Sequence, residues 1–180
     1  MEDRRTTIFD KQYRFYGRHA QFVTDLISLL DKDNKISIFK YNIDVLLVAP
    51  LVGFLYGRTA ERSNDKDETG KVLDTSVFGD KIIESQQDFR FNYWLITLLD
   101  KEYEPDANKR ISKAFREDPS AEDEERFNSF IRGGVEVLHE KIIGDDTSME
   151  DIVNNLSVFI QDFQERFRTE GPCDMSVLNN

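Results

Sequence analysis

The chain of 180 residues is poor in the residues that build metal and redox sites, with one cysteine and two histidines. The single cysteine, Cys173, cannot form an internal disulfide bond or a cysteine-based zinc site. His139 lacks the second histidine of a helical zinc-protease motif, and no serine or cysteine lies in a recognisable nucleophile motif. We therefore expect no metal, no cofactor and no enzymatic activity, and the reducing cytoplasm is the expected compartment.

An apolar run long enough to span a bilayer is also lacking. The most apolar stretch, residues 43–56, has 14 residues, whereas a transmembrane helix needs about 20. The opening stretch, MEDRRTTIFDKQYR, has no apolar signal core. We expect neither export nor insertion into a membrane.

The net charge of −11 is unevenly distributed. Residues 1–62 hold 10 Lys and Arg against 8 Asp and Glu, whereas residues 63–180 hold 14 against 27. Because acidic surface repels phosphate backbones, we expect no binding to free duplex DNA. The alternative is a nucleic-acid-binding accessory protein that uses its basic N-terminal residues: Arg4, Arg5, Lys11, Arg14 and Arg18.

Residues 43–56, IDVLLVAPLVGFLY, form the element around which the fold is expected to be built. A helix that is apolar on all sides must be enclosed by other elements, so the run predicts a buried central helix with Val48 in the core. Asn42 is a plausible N-cap, and Pro50 is expected to kink or divide the helix. Two glycine pairs, at 53 and 57 and at 133 and 134, predict close approach of another backbone, with a helix crossing at Gly134.

Apolar residues at spacings of three and four predict further helices over residues 11–30, 86–99, 111–115, 120–142 and 147–168. In the second of these, one stripe is expected to face the core: Phe91, Trp94, Leu95, Leu98 and Leu99. Short extended pieces are expected at 72–73 and 77–78. The prediction is an all-α, single-domain bundle of about six helices over residues 1–171, followed by a flexible tail at 172–180.

Residues 117–125, EDPSAEDEE, hold six acids and no base. Ser120 followed three residues later by Asp123 is typical of a helix start, where the helix dipole favours acids. The alternative function for this segment is an acidic docking surface. The candidate partner-binding residues are therefore Glu122, Asp123, Glu124 and Glu125, together with Arg58 and Arg62 at the end of the central helix.

Three segments also carry a family resemblance: FKYNIDVLLVAPLVGFLYGRTAER, FRFNYWLITLLD and FNSFIRGGVEVLHEKI, in that order along the chain. Together they resemble small accessory proteins encoded beside the Dnd genes for bacterial DNA phosphorothioation, over about residues 8–143. This chain differs in Pro50 and in an additional C-terminal helix at 147–168. The resemblance offers no catalytic residues to transfer.

The resemblance implies a bacterial, cytoplasmic accessory protein of a DNA-modification or phage-defence system. We therefore predict a non-catalytic protein that contacts a protein partner from the same system, and a homo-oligomer is an open alternative.

Overall fold

The computed structural model describes residues 7–31, 35–144 and 148–167. Contacts group the chain into two compact units, residues 1–140 and residues 141–180. The single domain predicted for residues 1–171 stays a prediction. The predicted flexible tail lies outside the described residues.

The first unit is mostly helical. Its elements in chain order are β1 (Tyr13–Tyr16), α1 (Arg18–Ile27), β2 (Leu29–Asp31), β3 (Ile36–Ser37), α2 (Asn42–Leu55), β4 (Asp74–Val77), α3 (Gly79–Glu84), α4 (Gln86–Leu99), α5 (Ala107–Phe115) and α6 (Ala121–Leu138). A π-helical turn, His139–Ile143, follows α6 in the sequence and includes the boundary between the two units. Strand β1 pairs with β4 and β2 with β3, both antiparallel, so the all-α prediction holds for most of the unit and misses these small sheets.

Helix α2 is the buried centre of the first unit, as its apolar sequence predicts. Val45, Leu46 and Ala49 are completely buried. The prediction for Val48 is wrong, because its side chain is 37% exposed. The helix rotates Val48 away from the side on which Ala49 and Gly53 meet α6. Helix α2 is therefore apolar on all sides, but other elements of the described chain do not bury all of its sides.

The start of α2 differs by one residue from the prediction. Asn42 is the first helical residue rather than the N-cap, and its side-chain amide donates to the carbonyl oxygen of Ser76. The backbone N–H of Tyr41 donates to Asp44 Oδ2 at 2.9 Å. The helix runs through Pro50 as one element, so the predicted division does not occur.

The crossing of α2 and α6 brings two backbones into contact. A Cβ atom at Gly134 would overlap the carbonyl oxygen of Ala49, and one at Gly53 would overlap that of Phe130. The predicted close crossing at Gly134 is therefore confirmed. Gly57 has a different role: apart from its two chain neighbours, no described residue lies within 4 Å of its Cβ position, and its φ of 61° is a conformation that favours glycine.

The helix predicted for residues 11–30 is half wrong. Its first part is β1, in which Phe15 lies opposite Thr75 of β4. Alternating aromatic residues favour a strand, and the positive φ of Gly17, 55°, ends it. A Cβ at Gly17 would collide with Ser63, so only glycine fits where the chain turns into α1.

Aromatic rings fill the core beside α4. The ring of Phe9 meets those of Phe89 and Tyr93 edge-on, with centroids 5.4 Å apart in both pairs. Phe127 of α6 lies 5.6 Å from Phe89. Such edge-to-face contacts stabilise a core beyond the apolar area they bury. Ile8 and Phe9 form a turn whose side chains are buried in this core.

The second unit contains helix α7 (Met149–Phe167), which confirms the predicted C-terminal helix. Ser148 Oγ accepts from the backbone N–H of Asp151 at 3.1 Å, a helix-capping contact. Asn155 Nδ2 donates to the carbonyl oxygen of Ile142 at 3.3 Å. Among the described residues of both units, no helix has the length and apolar content to cross a membrane.

Candidate functional site

The predicted acidic docking surface begins at the N-terminus of α6, where a capping box forms. Ser120 Oγ accepts from the backbone N–H of Asp123 at 3.1 Å, and Asp123 Oδ2 accepts from that of Ser120 at 3.0 Å. Asp123 is buried and also receives Lys113 Nζ at 2.6 Å and Tyr103 Oη at 2.9 Å. Burial works to raise the pKa of Asp123, but the hydrogen bonds from Lys113 and Ser120 bring it below its ordinary value. Its carboxylate is thus committed inside the protein.

The other three acids of the predicted surface differ in exposure. Glu124 is buried and accepts from the backbone N–H of Ile8 at 3.3 Å. Glu122 and Glu125 are exposed, and Glu125 forms an ion pair with Arg132. Of the four candidate acids at 122–125, only these two therefore have exposed side chains.

Arg18 and Arg58, predicted for different sites, meet at one carboxylate. Arg18 lies 2.9 Å from Glu136 Oε1, and Arg58 lies 3.8 Å from Glu136 Oε2 and 3.2 Å from Glu140. Both arginines are about half exposed, so these are surface pairs worth little each. Glu136 nevertheless joins the end of α2 to the start of α1.

The remaining predicted cations lie apart from that pair. Arg62 stacks on the ring of Tyr16, with its guanidinium carbon 3.7 Å from the ring centroid. The other contacts are Arg14 to Asp74 at 3.4 Å and Lys11 to Glu124 at 3.8 Å. Arg4 and Arg5 lie outside the described residues.

Both histidines are paired with carboxylates. His19 Nε2 lies 3.1 Å from Glu136 Oε1, and His139 Nε2 lies 3.0 Å from Asp25 Oδ2. Burial lowers the pKa of His19, although Glu136 opposes that effect. Within the described part of the chain, no three His, Cys, Asp or Glu side chains gather as a metal site would require.

The stripe of α4 predicted to face the core faces outward instead. The buried side of the helix carries Phe89, Asn92, Tyr93 and Ile96. On the other side, Phe91 is 58% exposed and Leu99 51% exposed. The prediction failed because α4 is apolar on two sides, and periodicity alone does not say which side the core takes.

Helix α5 covers only part of this outward stripe. The rings of Trp94 and Phe115 are 5.7 Å apart, yet Phe115 remains 57% exposed. Arg110 fixes α5 in place by donating to the carbonyl oxygens of Leu98 at 2.9 Å and Glu104 at 2.7 Å. We call the resulting surface the outer apolar face, which comprises Phe91, Trp94, Leu95, Leu98 and Leu99 of α4 with Ile111 and Phe115 of α5.

Sequence reasoning did not assign the outer apolar face to function. The signal was present, because α4 carries more apolar residues than a single core-facing stripe requires. The outer apolar face could be recognised only once the structure showed which side of α4 is buried.

Comparison with known proteins adds no relative: no family model, curated protein or solved structure matches the chain.

Proposed function

We propose that this chain is a non-catalytic accessory protein that binds a protein partner through the outer apolar face. The observation that carries the proposal is the exposure of Phe91, Leu99 and Phe115 on two packed helices. Contiguous exposed apolar surface is typical of interaction sites, and aromatic residues are enriched at interface centres.

The geometry of the face suits a helical segment of the partner. Phe91, Leu95 and Leu99 follow one another at steps of four along α4, and Ile111 and Phe115 do so along α5. Residues four apart are neighbours on a helix, so the two rows give adjacent apolar ridges. An amphipathic helix laid along them would bury its own apolar side.

Charge indicates the chemistry of that helix. The face belongs to residues 63–180, which carry 27 acids against 14 bases. Asp88 and Glu102 are exposed near the two ends of α4, and neither pairs with a cation among the described residues. Lys109 is exposed on α5, and Arg116 is exposed directly after it. The expected partner segment is therefore basic along the flank that meets α4, which would also speed its association.

The system in which the protein acts is proposed from the family resemblance. Its segments lie in α2, α4 and α6, and they resemble the accessory proteins of Dnd DNA phosphorothioation. We accordingly assign the chain to a bacterial DNA-modification or phage-defence system, in the cytoplasm, with a component of that system as its partner.

Direct binding to duplex DNA is the less favoured function. Each described cation of the predicted basic strip lies beside a carboxylate, and the pairs are Lys11 with Glu124, Arg14 with Asp74 and Arg18 with Glu136. A phosphate would have to compete with these carboxylates and with the net charge of −11.

The test is co-expression of the chain with each component encoded beside it, followed by isolation through a tag on this chain. One component should form a stoichiometric complex. The double variant Phe91→Ser, Phe115→Ser should weaken that complex about tenfold or more, because truncating buried interface aromatics commonly costs this much.

Ile36→Ser provides the matched control, since Ile36 is 42% exposed and lies on β3. It should leave the complex intact. Equal recovery with the double variant, or no complex with any component, would overturn the proposal. If the purified chain instead sediments as a dimer that the double variant dissociates, the face belongs to a second copy and the partner is excluded.

A further inference from the structure

A second candidate site lies between β1, the start of α1, the segment after α2 and the middle of α6. It is a cavity of about 160 Å³. Its polar lining includes Arg14, Tyr16, His19, Arg62, Asn128 and Arg132, and we call it the arginine cleft. It shares no residue with the outer apolar face, so the inference does not depend on the proposed docking function.

Arg132 supplies a fixed cation in this cleft. Its side chain is buried, its Nε donates to the carbonyl oxygen of Ala60 at 2.7 Å, and its Nη2 pairs with Glu125. A guanidinium held on two sides loses little freedom when it binds a further group. Arg132 is therefore preorganised for an anion.

Arg62 supplies an uncommitted cation. Its guanidinium carbon lies 3.7 Å from the centroid of the Tyr16 ring, and no carboxylate of the described residues pairs with it. Stacking uses the face of the guanidinium and leaves the N–H groups at its edge available as donors.

Two buried polar atoms in the lining lack partners among the described residues. His19 is 1% exposed, and its Nδ1 has no hydrogen bond although Nε2 meets Glu136. Asn128 Oδ1 is likewise unpaired. Buried polar groups are nearly always satisfied, so each such atom calls for a ligand or water.

We propose that the arginine cleft binds the phosphate group of a small ligand. Arg62 and Arg132 donate to its oxygens from different elements, and a protonated His19 donates from Nδ1. Turning the Asn128 amide by half a rotation presents its NH₂ group as a further donor. A tetrahedral phosphate accepts from several directions at once, which suits donors spread around a cavity better than a flat carboxylate does.

Charge and size agree with this ligand. Three arginines line the cleft against one carboxylate, that of Glu125. The cavity is smaller than the roughly 300–1,000 Å³ of sites that enclose whole drug-sized ligands. It therefore suits inorganic phosphate or the phosphate end of a nucleotide, with any nucleoside outside.

Phosphate binding should be linked to the proton on His19. Burial lowers the pKa of this imidazole, Glu136 raises it, and the positive charges of Arg18 and Arg132 lower it further. A phosphate at Nδ1 would offset those positive charges. The pKa of His19 should then rise when phosphate binds.

The experiment is calorimetric titration with inorganic phosphate at constant ionic strength, maintained with chloride. The wild-type chain should bind phosphate saturably, and Arg62→Ala should weaken binding about tenfold through the loss of one charge-assisted contact. Arg116→Ala is the matched control, since Arg116 is exposed at the C-terminal end of α5 and does not line the cleft. A proton NMR titration of the His19 ring should show its pKa rising with phosphate.

Asn128→Asp is a second variant, which places a carboxylate in the cleft and should abolish binding. Competition by adenosine monophosphate would identify a nucleotide as the source of the phosphate. The proposal is overturned if phosphate binds no better than acetate, if folded Arg62→Ala binds phosphate as the wild type does, or if phosphate leaves the His19 titration unchanged. Binding of a single-stranded oligonucleotide without a terminal phosphate, as tightly as inorganic phosphate, would also contradict it.

Discussion

The α2–α6 crossing and the outer apolar face are both helical and apolar, but the first packs against another helix of this chain and the second faces solvent. At the crossing, Gly53 and Gly134 let two backbones touch. On the outer face, Phe91, Leu99 and Phe115 project into solvent. Apolar spacing shows that a stripe favours removal from water, but not whether this chain or another covers it.

Within α2, the largest expected loss of stability comes from placing a charge at Val45. This side chain is fully buried, so Val45→Asp should cost several kcal/mol and leave the purified chain unfolded. Val48→Asp, three residues away on a part-exposed position, should remain folded with a modest loss. Urea unfolding followed by circular dichroism measures both, and equal losses would mean that Val48 is as buried as Val45.

Within α4, the two sides are compared by truncating one phenylalanine on each. Phe89→Ala should lower the free energy of unfolding by about 3–5 kcal/mol, because it empties a packed core position. Phe91→Ala should lower it by less than about 1 kcal/mol, since most of that ring already contacts water. If Phe91→Ala lowered the denaturant midpoint more than Phe89→Ala, the stripe that contains Phe91 would face the core, as the sequence predicted.

The crossing itself is tested by one methyl group. Gly134→Ala gains about 1 kcal/mol of helix propensity, but the new Cβ must displace the carbonyl oxygen of Ala49, and such overpacking costs about 1–3 kcal/mol. Because that neighbour is backbone, we expect a net loss and a lower melting temperature. Gly79→Ala, which meets Gln12 only at 3.6 Å, is the control and should be neutral or stabilising. A higher melting temperature for Gly134→Ala would contradict the close contact between α2 and α6 at this residue.

The smallest effect concerns His19, which Glu136 of α6 contacts, with Arg18 and Arg132 as nearby cations. Its folded-state pKa lies below the ordinary value of 6.5, so the unfolded chain binds the proton first as pH falls. Stability from this residue is therefore complete above about pH 6.5 and declines below it. His19→Gln should flatten the change in urea midpoint between about pH 7.5 and about pH 5.5. An unchanged slope would contradict the linkage.

Much of the fold was predictable because the decisive signals were local. The apolar run of α2, the limits of α4, the Ser120–Asp123 capping box and the glycine crossing were all read from neighbouring residues. Strand β1 was missed because it forms only where β4, about 60 residues later, supplies its partner. Local periodicity cannot contain such a pairing.

The candidate sites were less predictable for the same reason. Arg58, Arg62, Arg14 and Arg18 were selected from sequence, but the roles of His19, Asn128 and Arg132 depend on elements that meet only in the fold. Asp123 and Glu124 illustrate the reverse case. Their charges indicated a docking surface in the sequence, but both side chains are buried and form contacts inside the protein.

Hydrogen–deuterium exchange on the isolated chain and on its complex with the co-purified component tests the central claim most directly. Amides of α2 and α6 at the crossing should exchange slowly in both samples, because their opening requires disruption of the core. Amides of α5 and the outer side of α4 should be protected only in the complex. Protection that appears instead at Glu122–Glu125 or at Arg58–Arg62, with α5 unchanged, would contradict the assignment of the outer apolar face as the docking surface.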